Sequence, residues 1–229
     1  MNKLTIDHVF FDLDHTLWDF DRNSKLAFYR VFLKHNIDMD VADFIRVYEP
    51  INFDYWKLFR EERVTKEELR RGRLTDAFKT FKIEFPLDLI DALAEAYIEE
   101  LPIDNHLFDD AEEVLDYLSK KYLLHIITNG FHEVQNLKLK NSGISKYFRT
   151  VTTSEEVGLK KPNPVIFKTA LEKAVAQPKK SIMIGDTFEA DILGAESVGM
   201  ETIFYNYRND KVPTKYKVVN KLTEIKKHL

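Results

Sequence analysis

Short apolar runs recur along this chain, and each of the first four leads into a segment whose apolar residues have helical spacing. The runs cover residues 5–11, 122–127, 149–153, 181–184 and 201–205, and the run at 149–153 is weaker, because it includes Arg149 and three threonines. Runs of four to eight mostly apolar residues are typical of strands that are buried on both faces of a parallel sheet. Their alternation with helices predicts an α/β fold built on a doubly wound parallel sheet with a Rossmann-like layout.

Residues 18–101 interrupt this alternation, because they carry helical periodicity and no strand signal. Thr65 and Glu68 form the pattern of a capping box at the start of one helix, and Pro86 and Pro102 mark later boundaries. We therefore expect two domains. Residues 1–17 and 102–229 would form the sheet core, and residues 18–101 an inserted, all-helical cap.

Composition excludes several classes of protein. The chain has 229 residues, of which 44% are hydrophobic and 31% charged, and a formal net charge of -4. An acidic balance argues against binding a nucleic-acid polymer. With no cysteine there is no disulfide, thiolate metal site or cysteine nucleophile. No apolar run approaches 18 residues, so we expect a soluble, cytoplasmic protein without a membrane partner. We expect either a monomer or a homodimer.

Two carboxylates follow the first apolar run directly. Asp12 and Asp14 are separated by one residue, and the hydroxyl of Thr16 comes shortly after. Side chains two apart leave the same side of an extended segment, so both acids can face one spot. Two carboxylates about 4 Å apart repel each other by roughly 4 kcal/mol at an effective dielectric of 20. The pair therefore predicts a catalytic or metal-binding arrangement.

Other polar residues follow the later runs and complete a set suited to phosphoryl transfer. Thr128 ends the second run, Lys161 comes after the third, and Asp186 follows the fourth, with Asp191 five residues further on. Ligands of open α/β sheets bind at the carboxyl ends of the strands, where these residues would meet. Mg²⁺ is the predicted cofactor, since it prefers oxygen ligands and is held by a few carboxylates together with a substrate phosphate.

These motifs, in this order, resemble those of haloacid-dehalogenase (HAD) superfamily phosphatases of subclass I, which carry a helical cap. The resemblance rests on Asp12-Leu-Asp14-His-Thr16, Thr128, Lys161 before Pro162, and Gly185-Asp186 with Asp191. It implies that Asp12 is the nucleophile that forms an aspartyl-phosphate and that Asp14 is the general acid and base.

The same resemblance implies the roles of the remaining site residues. Thr128 and Asn129 would bind the substrate phosphate, and Lys161 would neutralise both the phosphate and the nucleophile. Asp12, Asp186 and the backbone carbonyl of Asp14 would hold Mg²⁺, with Asp191 as a further ligand, directly or through water.

A narrower resemblance concerns the substrate. Ile127-Thr128-Asn129-Gly130-Phe131 and Ser154-Glu155-Glu156-Val157-Gly158 are similar to segments of the YjjG/YfnB type, which are pyrimidine nucleoside 5′-monophosphate phosphatases. It implies a small phosphate ester as substrate, a nucleotide in particular. Cap residues Asn52 and Trp56, with Arg73 near Arg70, are the candidates for base recognition.

Other interpretations of the same residues stay open. An aromatic residue such as Trp56 is usually core packing, and a basic helix face such as Arg70 and Arg73 is usually solvated. His15 is expected to be exposed, and His125 to be a hydrogen-bonded core residue. A phosphosugar or phosphoglycolate phosphatase is the alternative within the class. A haloacid dehalogenase or a receiver-like phosphorylation switch is disfavoured by Asp14, and the dehalogenase by Asp186 as well.

Overall fold

A computed structural model describes residues 5–229 of the chain. Two compact units account for these residues. One comprises the chain up to Asp19 together with Asn105–Leu229, and the other is Phe20–Asp104. The sequence placed the corresponding boundaries after residues 17 and 101.

The unit Phe20–Asp104 consists of four long helices: α1 (Phe20–Lys34), α2 (Val41–Arg60), α3 (Lys66–Thr80) and α4 (Leu87–Glu100). The predicted capping box is present at the start of α3, where Thr65 and Glu68 bond each other's backbone N–H groups. The interior of this unit contains a cluster of buried aromatic rings that pack edge-to-face, tilted or stacked: Phe28, Phe32, Phe44, Tyr48, Phe78 and Tyr97.

The other unit is built on a parallel sheet of six strands. The strands are β1 (His8–Phe11), β2 (Leu123–Thr128), β3 (Phe148–Thr153), β4 (Ser181–Gly185), β5 (Glu201–Tyr205) and β6 (Val218–Val219). Their order across the sheet is β3-β2-β1-β4-β5-β6. The predicted fold class is therefore confirmed. The sequence missed β6, because two residues are too few to show a strand pattern.

The helices between the strands are α5 (Ala111–Ser119), α6 (His132–Asn141), α7 (Ser154–Val157), α8 (Pro164–Lys173) and α9 (Gly194–Glu196). Asn163 caps α8, and a proline occupies its first turn. The segment Phe188–Leu193, expected to be the start of an α-helix, is instead a π-helical turn that leads into α9. No helix among residues 5–229 is long and apolar enough to span a membrane.

Strand β1 lies at the centre of the sheet, and this position determines where the site forms. Phe11 is aligned with Ile126 of β2 on one side and with Ile184 of β4 on the other. The carboxyl ends of β1, β2 and β4 therefore lie side by side. Phe10, Ile127, Phe167 and Met183 are buried between the sheet and α8 and anchor these strand ends.

Candidate active site

Asp12 and Lys161 form the centre of the cluster at these strand ends. Asp12 follows β1, and its Oδ1 accepts a hydrogen bond of 2.6 Å from Nζ of Lys161. The same ammonium donates to the carbonyl of Ile127 at 2.7 Å and to Oδ1 of Asp191 at 2.7 Å. All three of its N–H donors are thereby used. Burial by itself would lower the pKa of Lys161, but Asp12 and Asp191 outweigh burial and hold that pKa above its usual value.

Asp191 reaches this centre from the π-helical turn. It is 1% exposed, and its Oδ2 accepts from the backbone N–H of Thr187 at 3.0 Å. Its Oδ1 accepts from Lys161, so each oxygen of the carboxylate has a partner. A π-turn widens the backbone by one residue per turn and is frequent at functional sites.

Three carboxylates converge here. Oxygens of Asp12, Asp186 and Asp191 lie within 4.8 Å of one another, and all three residues are buried. Burial, with repulsion from Asp191 and Asp14, raises the pKa of Asp12 to about 7 despite the nearby Lys161. Burial and the charges of Asp12 and Asp191 raise the pKa of Asp186 well above its usual value. Burial and mutual repulsion both disfavour the charged forms of these carboxylates, so an oxygen-preferring cation fits the cluster.

The carboxylate of Asp14 is not part of this cluster. Its Oδ1 accepts from Nζ of Lys138 at 2.5 Å, and its Oδ2 accepts from Nε2 of Gln135 at 2.8 Å. Both partners are on α6, and both are almost fully buried. The carboxylate of Asp14 is thus held by donors on α6, which its spacing from Asp12 did not indicate. The Mg²⁺ contact of its backbone carbonyl stays a prediction.

The sequence interpretation missed Gln135 and Lys138. They are three residues apart, so they share one face of α6, with buried Val134 and Leu139 alongside. The sequence did carry one signal for them, because both polar residues occupy positions on the buried face of the helix that follows Thr128. Their partner could not be identified from spacing, since Asp14 precedes Lys138 by 124 residues.

Thr128 is 1% exposed and has a defined hydrogen-bonding role. Its Oγ1 accepts from the backbone N–H of Gly130 at 3.1 Å and from Nε2 of Gln135 at 2.8 Å. These two bonds occupy both lone pairs of the hydroxyl. Its own hydrogen has no acceptor among residues 5–229, and the phosphate-binding role of Thr128 stays a prediction.

Asn129 contacts the Lys161 backbone on both sides. Its Oδ1 accepts from the N–H of Lys161 at 2.8 Å, and its Nδ2 donates to the carbonyl of the same residue at 3.0 Å. The side chain therefore positions Lys161, a contact that the sequence did not indicate. The phosphate-binding role of Asn129 stays a prediction.

His15 lies beside the site, whereas His125 lies in the core. His15 was expected to be exposed, but it is half-buried, and its Nδ1 lies 2.8 Å from the hydroxyl of Tyr207 and 3.0 Å from Nη2 of Arg208. Arg208 also lies 3.4 Å from Asp186, so it adds a second cation beside the acids. As predicted, His125 is a buried core residue, and both of its ring nitrogens have partners.

The candidate specificity residues lie in the helical unit. Asn52 is buried, and its Oδ1 accepts from Nη1 of Arg73 at 2.9 Å. Arg73 is 2% exposed, and its guanidinium lies 5.8 Å and 5.1 Å from the ring centres of Tyr48 and Tyr97. The interpretation of Arg73 as a solvated face is therefore wrong. Trp56 is half-buried and packs edge-to-face on Phe59.

The fold and this arrangement of acids and lysine define a hydrolase class, and comparison with known proteins identifies it. Residues 6–199 match the family model of haloacid dehalogenase-like hydrolases. The chain belongs to that family. The predicted enzyme class is confirmed.

Individual relatives of this chain have different activities. The chain is 33% identical to the pyrimidine 5′-nucleotidase YjjG of Escherichia coli (strain K12) over 90% of this chain and 89% of that protein. It is 33% identical to a glyceraldehyde 3-phosphate phosphatase of Methanothermobacter thermautotrophicus over 86% of this chain and 84% of that one.

A solved structure gives the same result for the fold. The structure of the HAD-hydrolase YfnB from Bacillus subtilis, described as bound to magnesium, superposes with a TM-score of 0.88 at 28% identity. The superposition covers 98% of this chain and 99% of that one.

Proposed function

We propose that this protein is a Mg²⁺-dependent phosphomonoesterase that forms an aspartyl-phosphate on Asp12 and acts on pyrimidine nucleoside 5′-monophosphates. The observation that carries this proposal is the division of labour between the two acids. Asp12 is held by Lys161 in a buried cluster of carboxylates, whereas Asp14 is held apart by two donors on α6. A nucleophile and a separate proton carrier are what a two-step hydrolysis requires.

In the first step a carboxylate oxygen of Asp12 forms a bond to phosphorus, and the bond from phosphorus to the leaving oxygen breaks. Asp14 gives its proton to that leaving oxygen. In the second step Asp14 takes a proton from water, the water oxygen bonds to phosphorus, and the Asp12–phosphate bond breaks. Inorganic phosphate is released and both acids return to their starting states.

The other residues support this chemistry without changing their own bonds. The hydroxyl of Thr128 has a hydrogen to donate to a phosphoryl oxygen. Lys161 contributes its charge and holds Asp12 in place, since its three donors already have protein acceptors. A phosphate contact by Lys161 would require it to release one of them.

The residues that would hold Mg²⁺ are Asp12, Asp186 and the carbonyl of Asp14, with Asp191 directly or through water. When bound, the ion would supply positive charge that offsets the charge of the phosphoryl group. The raised pKa values of Asp12 and Asp186 support a cation at this position.

The substrate class is supported by the relationship to a pyrimidine 5′-nucleotidase. In the helical unit, the half-buried Trp56 carries an indole face of the kind that stacks on a base, whereas the amide of Asn52 and the guanidinium of Arg73 are buried and bonded to each other. A phosphosugar phosphatase is the second candidate. It is favoured by the glyceraldehyde 3-phosphate phosphatase, whose sequence identity to this chain equals that of the nucleotidase. Asp14 and Asp186 argue against a dehalogenase, which needs neither the metal nor an acid at position 14.

The decisive experiment is a hydrolysis screen with the purified protein over nucleoside monophosphates, sugar phosphates and 2-haloacids, with Mg²⁺ and with EDTA. Release of phosphate from pyrimidine monophosphates ahead of the sugar phosphates, only with Mg²⁺, supports the proposal. A preference for sugar phosphates would favour the second candidate, and halide release in EDTA would contradict both. Trapping the acyl-phosphate and timing its decay tests turnover against a long-lived switch.

A further inference from the structure

Two residues on α6 contact the proposed general acid, and neither belongs to the motifs that identify the family. Lys138 donates to Oδ1 of Asp14 and Gln135 donates to Oδ2, so each carboxylate oxygen has its own donor. The two donors are three residues apart on one helix, which gives the pair a rigid spacing. Two separate donors fix the plane of a carboxylate, whereas one would leave it free to rotate.

Both donors are themselves held. Nζ of Lys138 lies 4.2 Å from the centre of the Trp18 ring, and Lys138 is 2% exposed. Gln135 is fully buried, and a Cβ atom at Gly130 would lie 2.4 Å from its side chain. Glycine at position 130 thus leaves the space that the amide needs.

Gln135 also connects the two parts of the site. Its Nε2 donates one hydrogen to Asp14 and the other to Oγ1 of Thr128, each at 2.8 Å. The opposite orientation of the amide would place its oxygen against the ionised carboxylate of Asp14, so the donor to that form is Nε2. One amide therefore relates the proton carrier to the hydroxyl that faces the phosphate.

We propose that Lys138 and Gln135 are positioning residues that act through Asp14, holding it where it passes a proton to the leaving oxygen. This inference rests on the proposed phosphatase function. When the O–H bond of Asp14 breaks and the proton joins the leaving oxygen, Asp14 becomes negative. The ammonium of Lys138 lies where it compensates that charge, and Gln135 keeps the carboxylate beside Thr128.

The experiment compares esters whose leaving groups differ in their need for a proton. 4-Nitrophenyl phosphate has a good leaving group, whereas an alkyl phosphate requires protonation. General acid catalysis is worth about 10²–10⁴-fold. For Lys138→Met we therefore expect a loss of kcat/KM of about 10²-fold on the alkyl ester and a loss of less than about threefold on the nitrophenyl ester. Gln135→Leu should likewise lose more kcat/KM on the alkyl ester than on the nitrophenyl ester. Lys138→Arg should retain part of the activity that Lys138→Met loses on the alkyl ester.

Controls separate this inference from the function on which it rests. Lys140→Met removes an exposed lysine from the same helix and should change neither rate. In an Asp14→Asn background, Lys138→Met should cost nothing more, because its partner is already neutral. Equal losses on both esters, or a full further loss in the Asp14→Asn background, would overturn the positioning role. Should the wild-type protein hydrolyse neither ester, the phosphatase function itself would fail.

Discussion

Gly185 and Asp191 are in such close contact that any side chain at position 185 would force Asp191 to move. A Cβ atom built there would lie 2.3 Å from Oδ2 of Asp191 and 2.6 Å from its Cβ. The backbone of β4 therefore ends against the carboxylate that accepts from Lys161. Replacing this glycine would push a side chain into the acid cluster.

We accordingly expect Gly185→Ala to lower the free energy of unfolding by about 1–3 kcal/mol, the usual cost of overpacking, and to reduce activity sharply by displacing Asp191. Urea denaturation and a hydrolysis assay measure the two effects. Leu193→Ala, at an exposed position of the same π-turn, is the control and should leave activity intact. Unchanged stability of Gly185→Ala would show that Asp191 moves without cost.

Asp12→Asn should abolish turnover while the fold persists. The substitution removes the proposed nucleophile, and it also removes one of three converging negative charges. Hydrolysis of 4-nitrophenyl phosphate should fall to background, and the melting temperature should stay close to that of the wild type. A variant that hydrolyses the ester at a near wild-type rate would disprove the aspartyl-phosphate mechanism.

Mg²⁺ should stabilise the folded protein independently of any substrate, because it relieves the repulsion among the buried carboxylates. A ligand at a hundred times its Kd stabilises by about 2.7 kcal/mol, which corresponds to a rise in melting temperature of several degrees. Calorimetry with Mg²⁺ and with EDTA measures this rise. Asp186→Asn should lose it, whereas Asp116→Asn, at an exposed position on α5, should keep it. Equal rises in both variants would place the ion elsewhere.

The share of stability that depends on His125 should fall as the pH drops from about 6.5 toward 4, whereas the raised pKa values of Asp12 and Asp186 act in the opposite direction. Burial, together with the charges of His8 and Arg149, lowers the pKa of His125 to about 4. In the unfolded chain this histidine titrates near pH 6.5. Between pH 6.5 and 4 the unfolded state therefore binds a proton at this position and the folded state does not. The stabilisation is therefore complete above pH 6.5 and is lost as the pH approaches 4.

Urea denaturation at pH 7 and pH 5 measures this loss in the wild type and in His125→Phe. The phenyl ring retains the stacking on Phe10, whose ring centre lies 4.6 Å from that of His125. The variant should lose less stability over the same pH interval. Identical losses would mean that other groups carry the acid sensitivity.

Trp56→Ala tests the proposed base recognition. Stacking of a base on an aromatic ring is worth about 1–3 kcal/mol, so kcat/KM for a pyrimidine monophosphate should fall about ten- to a hundredfold. A small phosphate ester without a base should keep its rate. Phe53→Ala removes an exposed aromatic residue from the same helix and serves as the control. Equal losses on both substrates would assign Trp56 to packing in the helical unit.

The parallel sheet and the acidic residues at its edge could be predicted from the sequence alone. Strands buried on both faces are mostly apolar, so β1, β2 and β4 stand out as apolar runs. The residues that follow them, Asp12 and Asp186, must meet because parallel strands end at the same edge.

The partner that each polar side chain takes could not be predicted from the sequence and follows from the way the elements pack. Gln135 lies 121 residues from Asp14, and Tyr207 lies 192 residues from His15. Contacts over such distances depend on how far α6 and the loop after β5 project over the sheet edge, and helical spacing carries no information about that. The same holds for Asp14, whose orientation is set by two donors on another element rather than by the strand that precedes it.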